Sequence, residues 1–445
     1  MSLPPTNDTI AAIATAPGAA AIGIIRLSGP DSHAIAGQLF RPRSGNSLPS
    51  PGSFAVGEFA DGAEVIDEGL LLMFADGRSY TGQQSVELQV HGSQAVLRRL
   101  LSACLARGAR QAEPGEFTMR AWLNGKLDLA QAESVLELIN SESEAGRRNA
   151  QAGLSGELSR RIDDLQSRIT AVYGSLQAQL DYPDEGVEES EFVKPLKEVA
   201  REIAALLDSA VAGRIANRGA RLALTGRPNS GKSSLLNALL GFERSLVSDV
   251  PGTTRDYLEA RLELEGVPVT LVDTAGLRDS EDEIESRGVS FSRSIADSAD
   301  LVLIVLDPLQ DAPADPLTLQ LLEAVPAERR LALWSKADLE QAPRLAGVDL
   351  AVSSVDGRGL AELRLELAER LSGDRPAGEL QISVERHAAA LQRALDAVEA
   401  AAAAPEDLAA LDLAQALAAL SAITGRHDVA SETIQHIFAN FCVGK

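Results

Sequence analysis

Gly226-Arg227-Pro228-Asn229-Ser230-Gly231-Lys232-Ser233 follows the apolar run Leu222-Ala223-Leu224-Thr225 and precedes Ser234-Leu235-Leu236-Asn237-Ala238-Leu239-Leu240. The octapeptide has the spacing GxxxxGK[ST], and its flanks read as a strand and a helix. Phosphate binding by backbone requires that order. Successive N–H groups and the helix N-terminus converge on the anion, a lysine reaches the outer phosphates, and a serine hydroxyl meets Mg²⁺. Asn229, Ser230, Gly231, Lys232, Ser233 and Ser234 are therefore the first candidates for a nucleotide site.

Working outward, Asp273-Thr274-Ala275-Gly276 closes the apolar run that starts at Val269. A carboxylate at such a strand end holds Mg²⁺ through water, and the Gly276 N–H is placed to sense a terminal phosphate. Between the two motifs, Ser248-Asp249-Val250-Pro251-Gly252-Thr253-Thr254 reads as a switch, with Thr254 completing the Mg²⁺ shell begun by Ser233. Ser335-Lys336-Ala337-Asp338 follows the run Leu331 to Trp334 and stands where guanine readers carry Asn-Lys-x-Asp. Asp338 can accept both the ring N–H and the exocyclic amine of guanine, which adenine does not offer in that arrangement. Ser335 replaces an amide with a shorter hydroxyl and is expected to lose one buttressing contact. Ser353, Ser354 and Val355 fit the last element, whose backbone meets the base oxygen. Leu277 stands where Ras-type enzymes carry a water-orienting glutamine. The catalytic group is thus expected from the polar stretch 278–287, with its acids Asp279, Glu281, Asp282, Glu283 and Glu285; no arginine finger can be assigned.

Five apolar runs between 221 and 372 alternate with helical patterns, which predicts a doubly wound parallel sheet. Residues 1 to about 120 read as α/β, with strands at Ile10–Ala14, Ile22–Leu27 and Val86–Val90 and a helix at Ala95–Ala106. Long helices are expected over 128–180 and 193–211, separated by an acidic connection through 181–191. Helical pattern returns after Pro376, with Ala-rich 396–420 read as a packed amphipathic helix. The expected fold class is α/β and α multidomain: an N-terminal α+β domain (1–121), a discontinuous helical domain (122–215 and 377–445) and an inserted Ras-like P-loop G domain (216–376).

Composition bounds the function class. The chain has 445 residues, 45% hydrophobic, with a formal net charge of -23. So acidic a chain repels phosphate backbones at long range, and any nucleic-acid substrate needs a basic patch or partner. Two cysteines, Cys104 and Cys442, fit a reducing compartment and no disulfide scaffold. No basic signal-peptide start and no apolar run of about 18 residues is present, so a cytoplasmic location without a membrane span is expected.

From Asp8 to the last residue the chain resembles the tRNA-modification GTPase family MnmE (TrmE). The resemblance is carried by Ile22-Gly-Ile-Ile-Arg-Leu-Ser-Gly29, Ser79-Tyr-Thr-Gly82, Val86-Glu-Leu88 with His91-Gly92, Pro114-Gly-Glu-Phe-Thr118, Arg120-Ala-Trp-Leu-Asn-Gly-Lys-Leu-Asp-Leu129, Gly252-Thr-Thr-Arg-Asp256 and Phe441-Cys-Val-Gly-Lys445. It implies an N-terminal domain that binds a reduced folate (5-formyl- or methylene-tetrahydrofolate) and makes a homodimer. It further implies a flavoprotein partner of the MnmG (FAD) type in a heterotetramer. With that partner the family modifies C5 of wobble uridine in tRNA, recruited mainly through the partner, to a carboxymethylaminomethyl or aminomethyl product. By the same resemblance Asn229, Ser248, Val250 and Thr253 hold K⁺ and Glu285 orients the attacking water. Arg26, Glu87, Lys126 and Lys445 contact folate, and Cys442 is the candidate thiol of the tRNA modification. His436 is its candidate base by sequence proximity alone. The chain departs from the family at Ser335, at Val443, and at Ala19-Ala20-Ala21, which replaces Arg-Gly-Gly and removes a positive charge near the folate pocket. Two other classes remain to be separated: a GTP-driven switch in ribosome assembly, and a folate-dependent transferase with a regulatory GTPase.

Overall fold

The computed structural model describes residues 6–45, 47–181, 192–241, 259–273, 299–311, 319, 322–323, 325–339, 347–348, 350–372, 380–426 and 430–444. They divide into two compact units: the first holds the described residues of 1–136, 153–196 and 397–445, the second those of 137–152 and 197–396. Together they comprise an N-terminal sheet domain, helices drawn from both sides of the chain, and a nucleotide-type sheet between them in sequence, as the fold class above anticipates. No helix among the described residues is long and apolar enough to cross a membrane.

In the first unit, β1 (Ile10–Ile13), β2 (Ala20–Ser28), β3 (Phe40–Pro42), β4 (Phe54–Asp61), β5 (Glu64–Phe74), β6 (Ser85–Gly92) and β7 (Arg110–Gln111) form one sheet in the order β3-β4-β5-β6-β2-β1-β7. Neighbours are antiparallel except β1 and β7. Strands β3 to β5 were not expected from the sequence. Their signal is the turn after Asp61, where Gly62 (φ 63°) and Ala63 link Asp61 to its partner Glu64.

Register decides the two faces of this sheet. Ile25, Leu88 and Leu71 lie in one cross-strand row and point into a core built with Ile35, Leu39, Leu97 and Leu100 from the helices Ser32–Leu39 and Gln94–Leu105. One residue along, Ala12, Arg26, Glu87, Leu72 and Phe54 form the next row on the opposite face, because strand side chains alternate. At the Ala12 end that face is closed by Phe117 of the helix Glu116–Leu123. At the other end it is open, with Phe54 67% exposed.

The same unit contains the helices Glu157–Asp181 and Glu406–Thr424, which pack together and are joined by Gln166 Nε2 donating to Ser421 Oγ at 2.7 Å. The expected single helix over 396–420 is two, Glu385–Ala403 and Glu406–Thr424. Pro405 causes the break: it has no N–H to give to the preceding turn and instead opens the second helix. The helix Ser431–Ala439 places Ile434, Ile437 and Phe438, followed by Phe441, against Met119, Leu129 and Val135.

In the second unit, β8 (Ala220–Thr225), β9 (Glu259–Leu264), β10 (Val267–Asp273), β11 (Leu301–Leu306), β12 (Arg330–Trp334) and β13 (Leu350–Ala351) give the order β13-β12-β11-β8-β10-β9. All neighbours are parallel except the edge strand β9, a hairpin partner of β10 that the sequence analysis did not anticipate. Both faces are covered, which is why β11 reads Leu-Val-Leu-Ile-Val-Leu and is buried throughout. Leu303 and Val305 pack on one side with Leu235 and Leu239 of the helix Lys232–Gly241 and with Leu363 and Leu367 of the helix Leu360–Ser372. Val302, Ile304 and Leu306 pack on the other. From β8 the chain goes to β9 and β10 on one side and then to β11 on the other. The carboxyl end of β8 is thus a topological switch point, where open α/β sheets bind ligands.

Candidate functional site

The loop after β8 turns sharply enough to need its glycines. Gly226 has φ 144°, and a Cβ there would lie 2.3 Å from the Val305 carbonyl of the neighbouring strand. Asn229 adopts φ 63°, the left-handed conformation that asparagine tolerates, and Gly231 has φ 94°. The buried Ser230 hydroxyl has no hydrogen-bond partner among the described residues. Lys232 opens the helix Lys232–Gly241 and is buried, its Nζ donating to the Gly226 and Arg227 carbonyls at 2.9 and 2.7 Å. Its ammonium is thereby held across the loop, with Ser233 and Ser234 exposed beside it. Asp273 ends β10 opposite Leu224 of β8, so its backbone flanks this loop.

Around Ser335-Lys336-Ala337-Asp338, bracing is denser than expected. The Ser335 N–H and hydroxyl both donate to the Leu306 carbonyl, at 2.8 and 2.9 Å. Lys336, at φ 56°, donates from Nζ to the fully buried Asp307 at 2.7 Å. Ala337 donates to the Val352 carbonyl at 3.2 Å and accepts from Arg358 Nη1 at 2.9 Å. Asp338 stands exposed at the tip. Ser353 is buried, and its hydroxyl accepts the N–H groups of Val355 and Asp356, leaving Val355 exposed. The Arg358 N–H, with help from Ser353 and the Arg358 charge, holds the Asp356 carboxyl below its ordinary pKa. The structure therefore brings Ser335, Lys336, Ala337 and Asp338 together with Ser353, Ser354 and Val355, as the sequence order suggested. Sequence reasoning missed Asp307, Asp311 and Arg358. The available signal was two aspartates at the carboxyl end of a fully apolar strand.

Several predicted positions lie outside the described residues: Ser248, Asp249, Val250, Pro251, Gly252, Thr253, Thr254, Thr274, Ala275, Gly276, Glu285 and Lys445.

A second constellation sits in the first unit. Arg26 Nε and Nη2 donate to a single carboxylate oxygen of Glu87, at 3.0 and 2.8 Å. The guanidinium carbon lies 5.7 Å from the Tyr80 ring centre and 5.8 Å from that of Phe117. Among the described residues the other Glu87 oxygen has no recorded donor. Lys126 Nζ donates to Gly77 O at 2.9 Å, and Asn124 Nδ2 to Thr81 O at 2.7 Å, so both tie down the loop that carries Tyr80. Burial pushes the Tyr80 phenol above its usual pKa, and its hydroxyl shares a 2.9 Å hydrogen bond with Thr118.

The chain's tail reaches this place. Pro114 and Val443 form an antiparallel bridge, and Arg26 Nη1 lies 3.5 Å from the Gly444 carbonyl. Gly444 has φ 102°, and a Cβ there would fall 2.4 Å from the Ile13 carbonyl. The Cys442 carbonyl accepts the Gly115 N–H at 3.4 Å and Cys442 is exposed, whereas Cys104 is buried and its thiol is pushed by burial up to about 12. His436 makes no recorded hydrogen bond to Cys442 among the described residues.

The same unit contains a charged network the sequence did not reveal. Arg120, 0% exposed, donates to Asp8, Gln83 and Glu116, and Arg110 donates to Asp8 and to both oxygens of Glu116. Glu116 and Arg120 are themselves residues of the motifs that carry the family resemblance.

Known families match the chain over nearly its whole length. A family model described as the MnmE helical domain matches residues 129–442, and one described as the N-terminus of the GTP-binding protein TrmE matches 9–126. A tRNA modification GTPase MnmE of Thermus thermophilus is 50% identical over 444 residues, covering 99% of each chain. Those of Bordetella petrii and Chloroflexus aurantiacus are 43% and 42% identical, covering 99% of this chain and 99% and 100% of theirs.

Proposed function

The chain belongs to the family of tRNA modification GTPases called MnmE, and on that premise we propose that it is a K⁺-dependent GTPase. We take it to modify C5 of wobble uridine in tRNA with a reduced folate and an MnmG-type flavoprotein partner, in the cytoplasm. The single observation that supports the folate half is the meeting of Arg26 with Glu87 and with the Gly444 carbonyl. A carboxylate oxygen left without a donor suits the donor-rich edge of a pterin, and cations such as Lys126 suit its glutamate tail. Lys445 falls outside the described residues and is kept as a candidate on the resemblance alone.

For GTP, the backbone of 226–231 and the Lys232 ammonium receive the phosphates, and Asp338 reads the base edge. Ser233 and Thr254 are the proposed Mg²⁺ ligands and Asn229, Ser248, Val250 and Thr253 the K⁺ set; of these, only Asn229 and Ser233 lie among the described residues. Bound K⁺ and Mg²⁺ would supply positive charge at the transferring phosphate, the task an arginine finger performs elsewhere. Glu285 orients water, and Cys442 serves the tRNA chemistry, not hydrolysis. A homodimer is proposed to cover the open end of the Arg26 face, where Phe54, Val56 and Ile22 are exposed. The segments 1–121, 122–215, 216–376 and 377–445 are the proposed domains.

Modified-nucleoside analysis of tRNA from a deletion strain carrying this chain tests the reading. The wild type should restore the wobble modification, and Glu285→Ala should not. Cys442→Ser should keep K⁺-stimulated GTP turnover but lose modification. Equal turnover in Na⁺ and K⁺ would remove the cation from the proposal. Unmodified tRNA with the wild-type chain would favour the ribosome-assembly reading.

A further inference from the structure

The carboxyl end of β11 carries two buried aspartates that the phosphate and base loops share. Asp307 and Asp311 are 0% and 2% exposed. They close a single turn: the Gln310 and Asp311 N–H groups donate to the Asp307 carbonyl, and the Asp307 N–H donates back to the Asp311 carboxylate at 2.7 Å. The Asp307 carboxylate accepts from the Leu309 N–H and from Lys336 Nζ. The Asp311 carboxylate lies 2.8 Å from Arg227 Nε, in the loop that Lys232 spans. Arg227 and Lys336 thus end on adjoining carboxylates of one turn. Ser335 is fixed to residue 306 just before that turn.

A buried carboxylate is costly unless its donors stay in place, because its desolvation is offset only by them. Displacing Arg227 therefore perturbs the turn that holds Lys336, and the reverse. We infer that Asp307 and Asp311 are positioning residues that couple the phosphate loop to the base loop through the pairs Arg227–Asp311 and Asp307–Lys336, so that a residue at the phosphate end contributes to guanine selectivity. This rests on the assignment of the site to GTP. Lys336 alone would be an ordinary member of a base-reading motif; the turn makes it answer to Arg227.

Equilibrium titration of fluorescent GDP and IDP into the full-length chain tests the inference. Inosine keeps the base oxygen and ring N–H but lacks the exocyclic amine, so the GDP-to-IDP preference reports on the base loop. Arg227→Met should lower that preference about fivefold, within the range of couplings measured between linked residues. Asp311→Asn should do the same. Combined with Lys336→Met, Arg227→Met should cost less than the product of the single losses. A purely local brace would weaken GDP and IDP alike and give multiplicative losses, and that result would overturn the inference. Arg227 is partly exposed, so its variant should fold, which a melting curve checks. Wild-type chain that binds neither nucleotide would instead refute the GTP assignment itself.

Discussion

The two sheets solve the placement of a site in opposite ways. In the second unit, the groups proposed to face GTP come from loops at the carboxyl ends of adjacent parallel strands, each loop contiguous in sequence. In the first, Arg26 meets Glu87 and Gly444, and Arg120 meets Asp8, over sequence separations of 61, 418 and 112 residues. Contiguity makes the first kind of site readable as a motif. Distance makes the second invisible to spacing and dependent on burial, so its stability and its function should be harder to separate.

The largest expected effect tests that dependence. Arg120→Met leaves the Glu116 and Asp8 carboxylates short of a buried partner and should destabilise the first unit by about 3–5 kcal/mol. The melting transition of the first unit would drop, while GDP binding at saturating nucleotide stays. Loss of both together would show that the contrast is false. Next, Lys232→Met should reduce GTP turnover about 100- to 1,000-fold by removing a preorganised charge at the phosphates. It should leave the heat of 5-formyltetrahydrofolate binding unchanged, and Glu87→Ala should do the converse.

A smaller effect is set by pH. Burial alone would raise the Asp8 carboxyl, but hydrogen bonds and charge from Arg110 and Arg120 outweigh it and hold its pKa below the ordinary value. A depressed folded pKa stabilises above the unfolded value, near 3.9, and that stability is lost as pH falls through the folded value. Acid titration should therefore release the first unit's near-UV signal below about pH 4, and Asp8→Asn should flatten that dependence. The smallest effect belongs to Ser335. Its hydroxyl is already satisfied by the Leu306 carbonyl and sits against Gly231. Ser335→Asn should change GDP affinity by less than about tenfold, the scale of one net hydrogen bond. A larger gain would show that the missing amide matters as the sequence suggested.

Legibility followed the same divide. The loop 226–233, the parallel strands and the loop 335–338 could all be inferred because each is a local pattern of period, glycine and spacing. Arg26 and Glu87 needed a family resemblance, since nothing in either neighbourhood points to the other. Asp307 and Asp311 escaped because an aspartate at a strand end reads as an ordinary turn former until register puts it beside Lys336 and Arg227. The helix break at Pro405 is written in the sequence, but the alanine-rich run on either side masks it.

The bridge between Pro114 and Val443 also has a meaning in time. A ribosome delivers the sheet β1 to β7 first and the segment 441–444 only after the entire second unit has emerged. Until then Arg26 lacks the Gly444 carbonyl, and the ground beside Ile13 stands uncovered. The contact between Arg26 and Gly444 consequently forms only after the second unit has been synthesised, although the strand that carries Arg26 is made well before it.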